Sequence, residues 1–115
     1  MLYNVSAVFA DSLDRRPLPD RARSAVFSSI PDAVLVSGQI TGEAAAMSDL
    51  SAVKSVLPDT PVLANTGVKH DTIADVLAVA DGCVVGSALK VDGDTWNPID
   101  PDRAADFMAR AVSAR

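Results

Sequence analysis

The stretch "PVLANTGVKHDTIADVLAVADGCVVGSALK", residues 61–90, holds the pattern that decides the fold. Two short apolar runs, residues 62–64 and 83–85, each end in a turn of small residues or glycine. Between them, Ile73 and Val76 are spaced for one face of a helix. A strand, a helix and a second strand in this order predict a βαβ unit, in which the two strands run parallel.

The same alternation of strands and helices extends to both ends of the chain. Residues 2–10 are rich in β-branched and aromatic side chains, and residues 33–36 form an unbroken apolar run typical of a strand covered on both faces. Helices are predicted over residues 19–29, from Ser48 to Val56 or Leu57, from Asp71 or Thr72 onward, and from near Asp100 onward. The order βαβαβαβα predicts a single α/β domain over residues 1–115, with four βα units and parallel strands. Such units can form a small open sheet or half of an eight-stranded barrel.

Each predicted helix carries an apolar stripe that is expected to pack on the sheet. The stripes are Ala22, Val26, Phe27 and Ile30; Leu50, Val53, Lys54 and Leu57; Ile73, Val76, Leu77 and residues 79–80; and Phe107, Met108 and Ala111. Apart from Lys54, which only shares the spacing of its neighbours on one helix face, these residues are the predicted helical part of the core.

Composition and charge narrow the class of protein. A hydrophobic content of 49% with 22% charged residues is typical of a folded chain. A net charge of -5 does not favour binding to a phosphate backbone, so no nucleic-acid partner is expected. The single Cys83 can supply neither an intrachain disulfide nor a zinc cage. Since no apolar run approaches the roughly 18 residues that span a bilayer and no leader pattern begins the chain, we expect a cytoplasmic protein without a transmembrane segment.

In parallel α/β folds the functional residues lie at the carboxyl ends of the strands. The residues at these positions are small or polar: Asp11, Ser12, Ser37, Gly38, Gln39, Asn65, Thr66, Gly67, Gly86 and Ser87. Gly67 and Gly86 lie in the turns of two consecutive units, where unobstructed backbone N–H groups can converge on an anion. The alternative is that each glycine only turns the chain.

Other polar residues near these turns have less specific patterns. His70, the only histidine, precedes a helix and is interpreted as a solvated capping residue rather than an acid or base. Lys90 follows the fourth strand and could attract a phosphate, whereas Lys69 fits a solvated surface position. Residues 92–94 lack the further oxygen ligands of a calcium loop and indicate a turn, so no metal site is predicted. Trp96 could be a lid, an interface anchor or a residue with a local packing role.

Three segments carry a family resemblance: "DAVLVSGQITG" (32–42), "DTPVLANTGV" (59–68) and "ADGCVVGSALKVDGDTWNPIDPDRAADFM" (80–108). They resemble the C-terminal part of the BtpA/SgcQ family, which has a TIM-barrel-like fold. The resemblance covers most of the chain from about Asp32 onward and is strongest from Asp81 to Met108. It implies the C-terminal half of a (βα)8 barrel, beginning near the fifth strand of the family.

The resemblance also implies a phosphate-type site. Its residues are Gly67, Gly86 and Ser87, with Thr66 in the same turn as Gly67, and Ser37, Gly38, Thr41 and Gly42 on the neighbouring loop. Two departures from the family pattern stand out: residues 8–11 are Val-Phe-Ala-Asp where the family commonly has a Lys-His pair, and residues 65–67 are Asn-Thr-Gly where it has Gly-Ser-Gly. No cofactor is expected.

Two functions from different classes follow. The first is binding of a small anion or a phosphorylated metabolite of the sugar-phosphate or nucleoside-phosphate type. If turnover occurs, Asp11, Asn65 and Lys90 are the expected polar participants, with Asp11 as the general base by position. The alternative is an assembly or scaffold protein of the photosystem I biogenesis type, which acts through a protein partner. The open strand edges of a half-barrel further predict a homo-oligomer or a complementary half-barrel partner.

Overall fold

A computed structural model of the chain describes residues 1–6, 16–38 and 47–114. Within these residues, four strands alternate with four α-helices in the predicted order. The strands are β1 (Leu2–Asn4), β2 (Ala33–Val36), β3 (Val62–Ala64) and β4 (Gly82–Cys83), and the helices are α1 (Leu18–Ser29), α2 (Met47–Val56), α3 (Ile73–Val79) and α4 (Pro101–Ser113). Two short 3-10 turns, Ser87–Leu89 and Val91–Gly93, lie in the loop between β4 and α4.

The strands form one parallel sheet in the order β1-β2-β3-β4. Because each crossover is expected to be right-handed and the order never reverses, all four helices belong on one side of the sheet. The contacts agree, since α1 packs on α2, α2 on α3 and α3 on α4. A doubly wound sheet would instead reverse its strand order and place helices on both faces. The predicted α/β fold of four βα units with parallel strands is confirmed.

The core lies between the helices and one face of the sheet. Val34 of β2 and Val62 of β3 are in register and fully buried, as are Val36 and Ala64 two residues further on. From the helices, the core receives Ala22, Leu50, Val53, Ile73, Val76 and Phe107.

At the start of α4, a carboxylate oxygen of Asp100 accepts the backbone N–H of Asp102 at 3.0 Å, and Pro101 occupies the first turn, where no N–H is needed.

None of the four helices in the described part of the chain is assigned to the opposite face of the sheet. Asn4, Leu35, Leu63 and Gly82 are in register across the four strands, and they alternate with the residues that face the helices. Leu35 and Leu63 are half-buried rather than buried. In a complete barrel this face lines the interior, so we call it the inner face.

Three residues predicted for the core are exposed. Phe27 and Ile30 of the α1 segment are 88% and 82% exposed, and Met108 of α4 is 59% exposed. The predicted stripe on α1 is wide enough to contact helices on two sides, but α1 lies at the edge of the helix layer with α2 as its neighbour. Ala22 is buried and Val26 half-buried against the core, while Phe27 and Ile30 lie beyond that contact.

Two strands are shorter than predicted. β1 ends at Asn4 instead of Ala10, although the N–H of Val5 still donates to the carbonyl of Leu35 at 3.1 Å. Residues 7–10 of that prediction lie outside the described residues. β4 is Gly82–Cys83 instead of residues 83–85 because only the N–H of Val84 continues the ladder, donating to Ala64 at 2.8 Å. None of the helices in the described part of the chain is long and apolar enough to cross a membrane.

Candidate functional site

Three polar side chains from neighbouring strands meet at the carboxyl ends of β1, β2 and β3. Asn4 is the last residue of β1, and Ser37 and Asn65 directly follow β2 and β3. The amide nitrogens of Asn4 and Asn65 both donate to the Ser37 hydroxyl oxygen, at 3.0 and 2.9 Å. Since Asn4 is in register with Leu35, the group belongs to the inner face. We call Asn4, Ser37 and Asn65 the strand-end triad.

Ser6 fixes the backbone around the triad. Its hydroxyl oxygen accepts the Ser37 N–H at 2.8 Å, and its hydroxyl lies 3.3 Å from the Ser37 carbonyl oxygen, to which it donates. The Ser6 N–H in turn donates to the Asn4 side-chain oxygen at 3.0 Å. The chain directly after β1 is therefore held against the chain directly after β2 by side-chain hydrogen bonds, in place of a longer strand ladder.

The next contact links the loops that follow β2 and β3. The Gly38 N–H donates to the Thr66 hydroxyl oxygen at 2.8 Å. Gly67 follows with a φ of 69°, a left-handed backbone conformation that favours glycine. Four of the predicted site residues, Ser37, Gly38, Asn65 and Thr66, are thus brought together by direct hydrogen bonds.

The loop after β4 has a separate set of contacts. Ser87 shares a 2.6 Å hydrogen bond between its hydroxyl and that of Thr95, and the Arg103 Nε–H donates to the Ala88 carbonyl at 2.9 Å, which fastens the loop to α4. A side chain added at Gly86 would meet no atom within 4 Å, so space is open beside this residue. Within the described ranges no hydrogen bond joins Gly86 or Ser87 to Gly67, and the Lys90 ammonium makes no ion pair.

A cavity of about 110 Å³ lies between α2 and α3 and reaches the turn at Gly67. Its lining is mostly apolar, from residues such as Leu50, Val68 and Val76, and Asp75 is the charged residue among those that line it. An apolar wall with a carboxylate does not suit an anion. The cavity is therefore unsuited to the predicted anion, although Thr66 and Gly67 of the predicted anion site also line it.

His70 lies in the segment that precedes α3 and makes its contacts with α4. Its Nε2 lies 2.9 Å from the Arg103 carbonyl oxygen, and its ring packs edge-on against Phe107 with 5.4 Å between ring centres. Arg110 of α4 also donates to the His70 carbonyl oxygen at 3.3 Å. The side chain is therefore packed against α4 and is only 19% exposed, so the solvated capping role predicted for it is wrong.

The remaining predicted residues either lie outside the described part of the chain or form a turn. Asp11, Thr41 and Gly42 lie outside the described residues, as do Ser12 and Gln39. Asp92 and Gly93 have φ angles of 56° and 71°, which form the turn that was predicted. Among the described residues, no three His, Cys, Asp or Glu side chains lie together as ligands of a metal ion would.

Sequence reasoning missed Asn4 and Ser6 as site residues. Both fall inside the run 2–10, which was interpreted as one apolar strand. The available signal was their spacing, because polar residues at i and i+2 of a strand lie on the same face. Residues 4 and 6 are the polar members of "LYNVSAV" (2–8) that have this spacing.

The family model described as "BtpA family" matches residues 1–113. The chain belongs to the BtpA family. The chain is 39% identical over 114 residues to the sgc region protein SgcQ of Escherichia coli K12, a match that covers 99% of the chain and 42% of that relative. It is also 28% identical over 108 residues to the photosystem I biogenesis protein BtpA of Synechocystis sp. PCC 6803, covering 94% of the chain and 38% of that relative. The chain thus spans about two fifths of the length of these curated relatives.

The solved structure of N-(5'-phosphoribosyl)anthranilate isomerase from Pyrococcus furiosus has a similar fold. The two chains superpose with a TM-score of 0.58 at 18% identity, and the match covers 97% of this BtpA-family chain and 49% of the isomerase. The isomerase is a TIM barrel, so the likeness shows that this family member has half of that fold. The predicted family is confirmed, and the half-length match agrees with the predicted half-barrel.

Proposed function

We propose that this half-barrel binds a phosphorylated metabolite of the sugar-phosphate or nucleoside-phosphate type at the carboxyl ends of its strands. The observation that carries the proposal is the strand-end triad, which places three polar side chains from three strands at one edge of the inner face. Polar groups in an apolar setting lose hydration, a loss that their mutual hydrogen bonds offset only in part. A ligand that forms hydrogen bonds with the remaining donors and acceptors of these side chains offsets the rest of the lost hydration.

The phosphate is assigned to the turns that follow β3 and β4. Gly67 and Gly86 have no side chain that would obstruct their backbone N–H groups, and open space adjoins Gly86. Ser87 and Thr66 add hydroxyl groups, and Lys90, at the end of the first 3-10 turn, supplies the positive charge. The isomerase with the similar fold is named for a phosphoribosyl compound. This supports a sugar-phosphate ligand for the half-barrel as well.

Titration of the chain with inorganic phosphate and with ribose 5-phosphate, followed by backbone amide NMR, tests this assignment. We expect the resonances of Gly67, Gly86 and Ser87 to shift together. Lys90→Gln should weaken phosphate binding roughly tenfold because a charge-assisted contact is lost. Lys69→Gln is the matched control, since Lys69 is exposed and is assigned no ligand contact. Equal losses in the two variants would indicate general attraction by positive charge and would contradict the site.

A partner is also proposed, on a different observation. Apolar residues are exposed at both edges of the half-barrel: Leu2, Tyr3, Phe27 and Ile30 on the β1 side, and Met108 and Val112 on α4. These are the positions that neighbouring βα units cover in a closed barrel. We propose that a second (βα)4 unit, either another copy of the chain or a complementary half, packs there.

Sedimentation of the purified chain at micromolar concentration tests the partner. A species of twice 11.9 kDa is expected for a homodimer, and conversion to monomer by Phe27→Asp would assign the contact to the β1 side. The alternative assembly role is supported by the similarity to the Synechocystis photosystem I biogenesis protein. It predicts a monomer that recovers one unrelated protein in stoichiometric amount, together with no NMR response to phosphate.

A further inference from the structure

The hydrogen-bond donors and acceptors of the strand-end triad can be followed from Asn4, whose amide has a group on each side. The Asn4 side-chain oxygen accepts the Ser6 N–H at 3.0 Å, a group that can only donate. The orientation of this amide is therefore determined, and its nitrogen faces Ser37, to which it donates at 3.0 Å.

Ser37 is saturated as an acceptor. A serine hydroxyl oxygen has two acceptor sites and one proton, and the amide nitrogens of Asn4 and Asn65 occupy both acceptor sites. Ser37 is only 5% exposed, so little water reaches it. Within the described residues its hydroxyl proton has no acceptor, and the side-chain oxygen of Asn65 has no donor.

The unused capacity of the triad is thus one O–H donor on Ser37 beside one C=O acceptor on Asn65. The oxygen of a dianionic phosphate ester could accept from Ser37, but it has no proton to give to Asn65 and would face the amide oxygen with its own negative charge. An alcohol hydroxyl satisfies both groups, since it accepts one hydrogen bond and donates another. The pair therefore matches a ligand group that donates and accepts at the same position.

We infer that Ser37 and Asn65 bind an alcohol hydroxyl of the ligand, and that Asn4 and Ser6 are positioning residues that hold Ser37 for this contact. The inference rests on the proposed function and sharpens it: the ligand is a polyol phosphate, with the phosphate at the turns near Gly67 and Gly86 and a hydroxyl at the triad. A buried hydroxyl without a partner is costly, so a ligand lacking this group leaves the Ser37 proton unsatisfied.

Two probes with the same phosphate separate the two parts of the site. Glycerol 3-phosphate and propyl phosphate share a three-carbon phosphate ester, and only the first carries alcohol hydroxyls. Calorimetry should give a Kd for glycerol 3-phosphate about tenfold lower than for propyl phosphate. Ser37→Ala should remove this preference, because the Kd of glycerol 3-phosphate should rise to that of propyl phosphate or above it. Ser55→Ala is the matched control, because Ser55 lies on the exposed side of α2 and its hydroxyl donates to the Ala52 carbonyl.

A measurement on the unmodified chain keeps the inference testable even if Ser37→Ala does not fold. The sequence has three asparagines, so their side-chain amide resonances are readily assigned. Glycerol 3-phosphate should shift the Asn65 amide and leave that of Asn97, which donates to the Val91 carbonyl in the β4 loop, in place. Propyl phosphate should move neither.

The outcomes separate the inference from the proposed function. Equal Kd values for the two phosphates, with the Asn65 amide unmoved, would overturn the hydroxyl contact and leave the phosphate site standing. If neither phosphate ester binds but free glycerol at high concentration shifts the Asn65 amide, the phosphate site is wrong and the hydroxyl contact holds. No response to any of the three compounds would overturn both.

Discussion

The Gly38 N–H donates to the Thr66 hydroxyl oxygen at 2.8 Å, which joins the loops that follow β2 and β3. These residues are 28 positions apart in the sequence, so the bond is a product of the parallel sheet. Thr66→Val preserves the side-chain shape and removes the acceptor. We expect a loss of about 1 kcal/mol in the free energy of unfolding, since Gly38 is only half-buried.

Urea denaturation measures the cost, and hydrogen exchange at the Gly38 amide locates it. Thr66→Ser keeps the oxygen and should retain slow exchange at Gly38. Fast exchange in the wild-type chain, equal to that of Thr66→Val, would show that the bond does not hold the loops together.

The two glycines of the proposed phosphate site should respond differently to substitution. Gly67 has a φ of 69°, so Gly67→Ala forces a side chain into the left-handed region and should cost about 1 kcal/mol of stability. Gly86 has a φ of -134° and open space around it, so Gly86→Ala should change stability by less than about 0.5 kcal/mol. Thermal denaturation of both variants checks the contrast.

Gly86→Ala should nevertheless weaken phosphate binding, because its new methyl group would enter the open space assigned to the ligand. Ala88→Gly, in the same loop but on a buried residue, is a poor control because it creates a cavity. Asp92→Asn, in the turn that follows, is a better control variant. Undiminished phosphate affinity in Gly86→Ala would argue against a phosphate at this turn.

Asp81 precedes β4, at the end of the sheet opposite the strand-end triad, and makes the stability of the protein depend on pH. Its carboxylate accepts from the Lys54 ammonium at 2.8 Å and from the Val62 N–H at 2.9 Å. The Lys54 hydrogen bond, with the Val62 N–H second, lowers the pKa of Asp81 below its ordinary value of 3.8. A lowered pKa in the folded state means that the ion pair stabilises the protein above about pH 4, and that this contribution disappears as pH falls through the folded pKa.

Asp81→Asn should therefore cost up to about 1 kcal/mol at neutral pH, a small value because Asp81 is 41% exposed. The difference between wild type and variant should shrink as the pH is lowered below 4. Urea denaturation at a series of pH values measures this, with the exposed Asp59→Asn as the control. A difference that stays constant across this pH range would assign the effect to packing rather than to charge.

Ile30 should limit the stability of the isolated protomer. It ends α1 with a φ of 46° and a ψ of 57°, although it is β-branched and 82% exposed. A non-glycine residue in this conformation costs about 1–2 kcal/mol, so Ile30→Gly should raise protomer stability by up to about 1 kcal/mol after the entropy cost of glycine. If Ile30 also belongs to the contact with a second half-barrel, the same variant should weaken association. A gain in stability with unchanged sedimentation would remove Ile30 from that contact.

The sequence alone was sufficient to predict the alternation of strands and helices, because apolar periodicity is a local property. The unbroken run 33–36 became β2 with the predicted bounds, and the run 62–64 became β3. The family could also be predicted, since the segment from Asp81 to Met108 carries a long specific pattern. Prediction failed for Phe27 and Met108, since local periodicity shows which side of a helix is apolar but not how many neighbours cover it.

Only the tertiary structure decided which polar residues act together. Ser37 and Asn65 could be placed at strand ends from the sequence, but the hydrogen bonds that saturate the Ser37 oxygen come from residues 33 and 28 positions away. Asn4 drew no attention in an apolar run, and its role depends on β1 lying beside β2 in register. The chain itself encodes the parallel order of its strands. The pattern of donors and acceptors at their ends exists only after the strands pair, because it is a property of distances between residues far apart in the sequence.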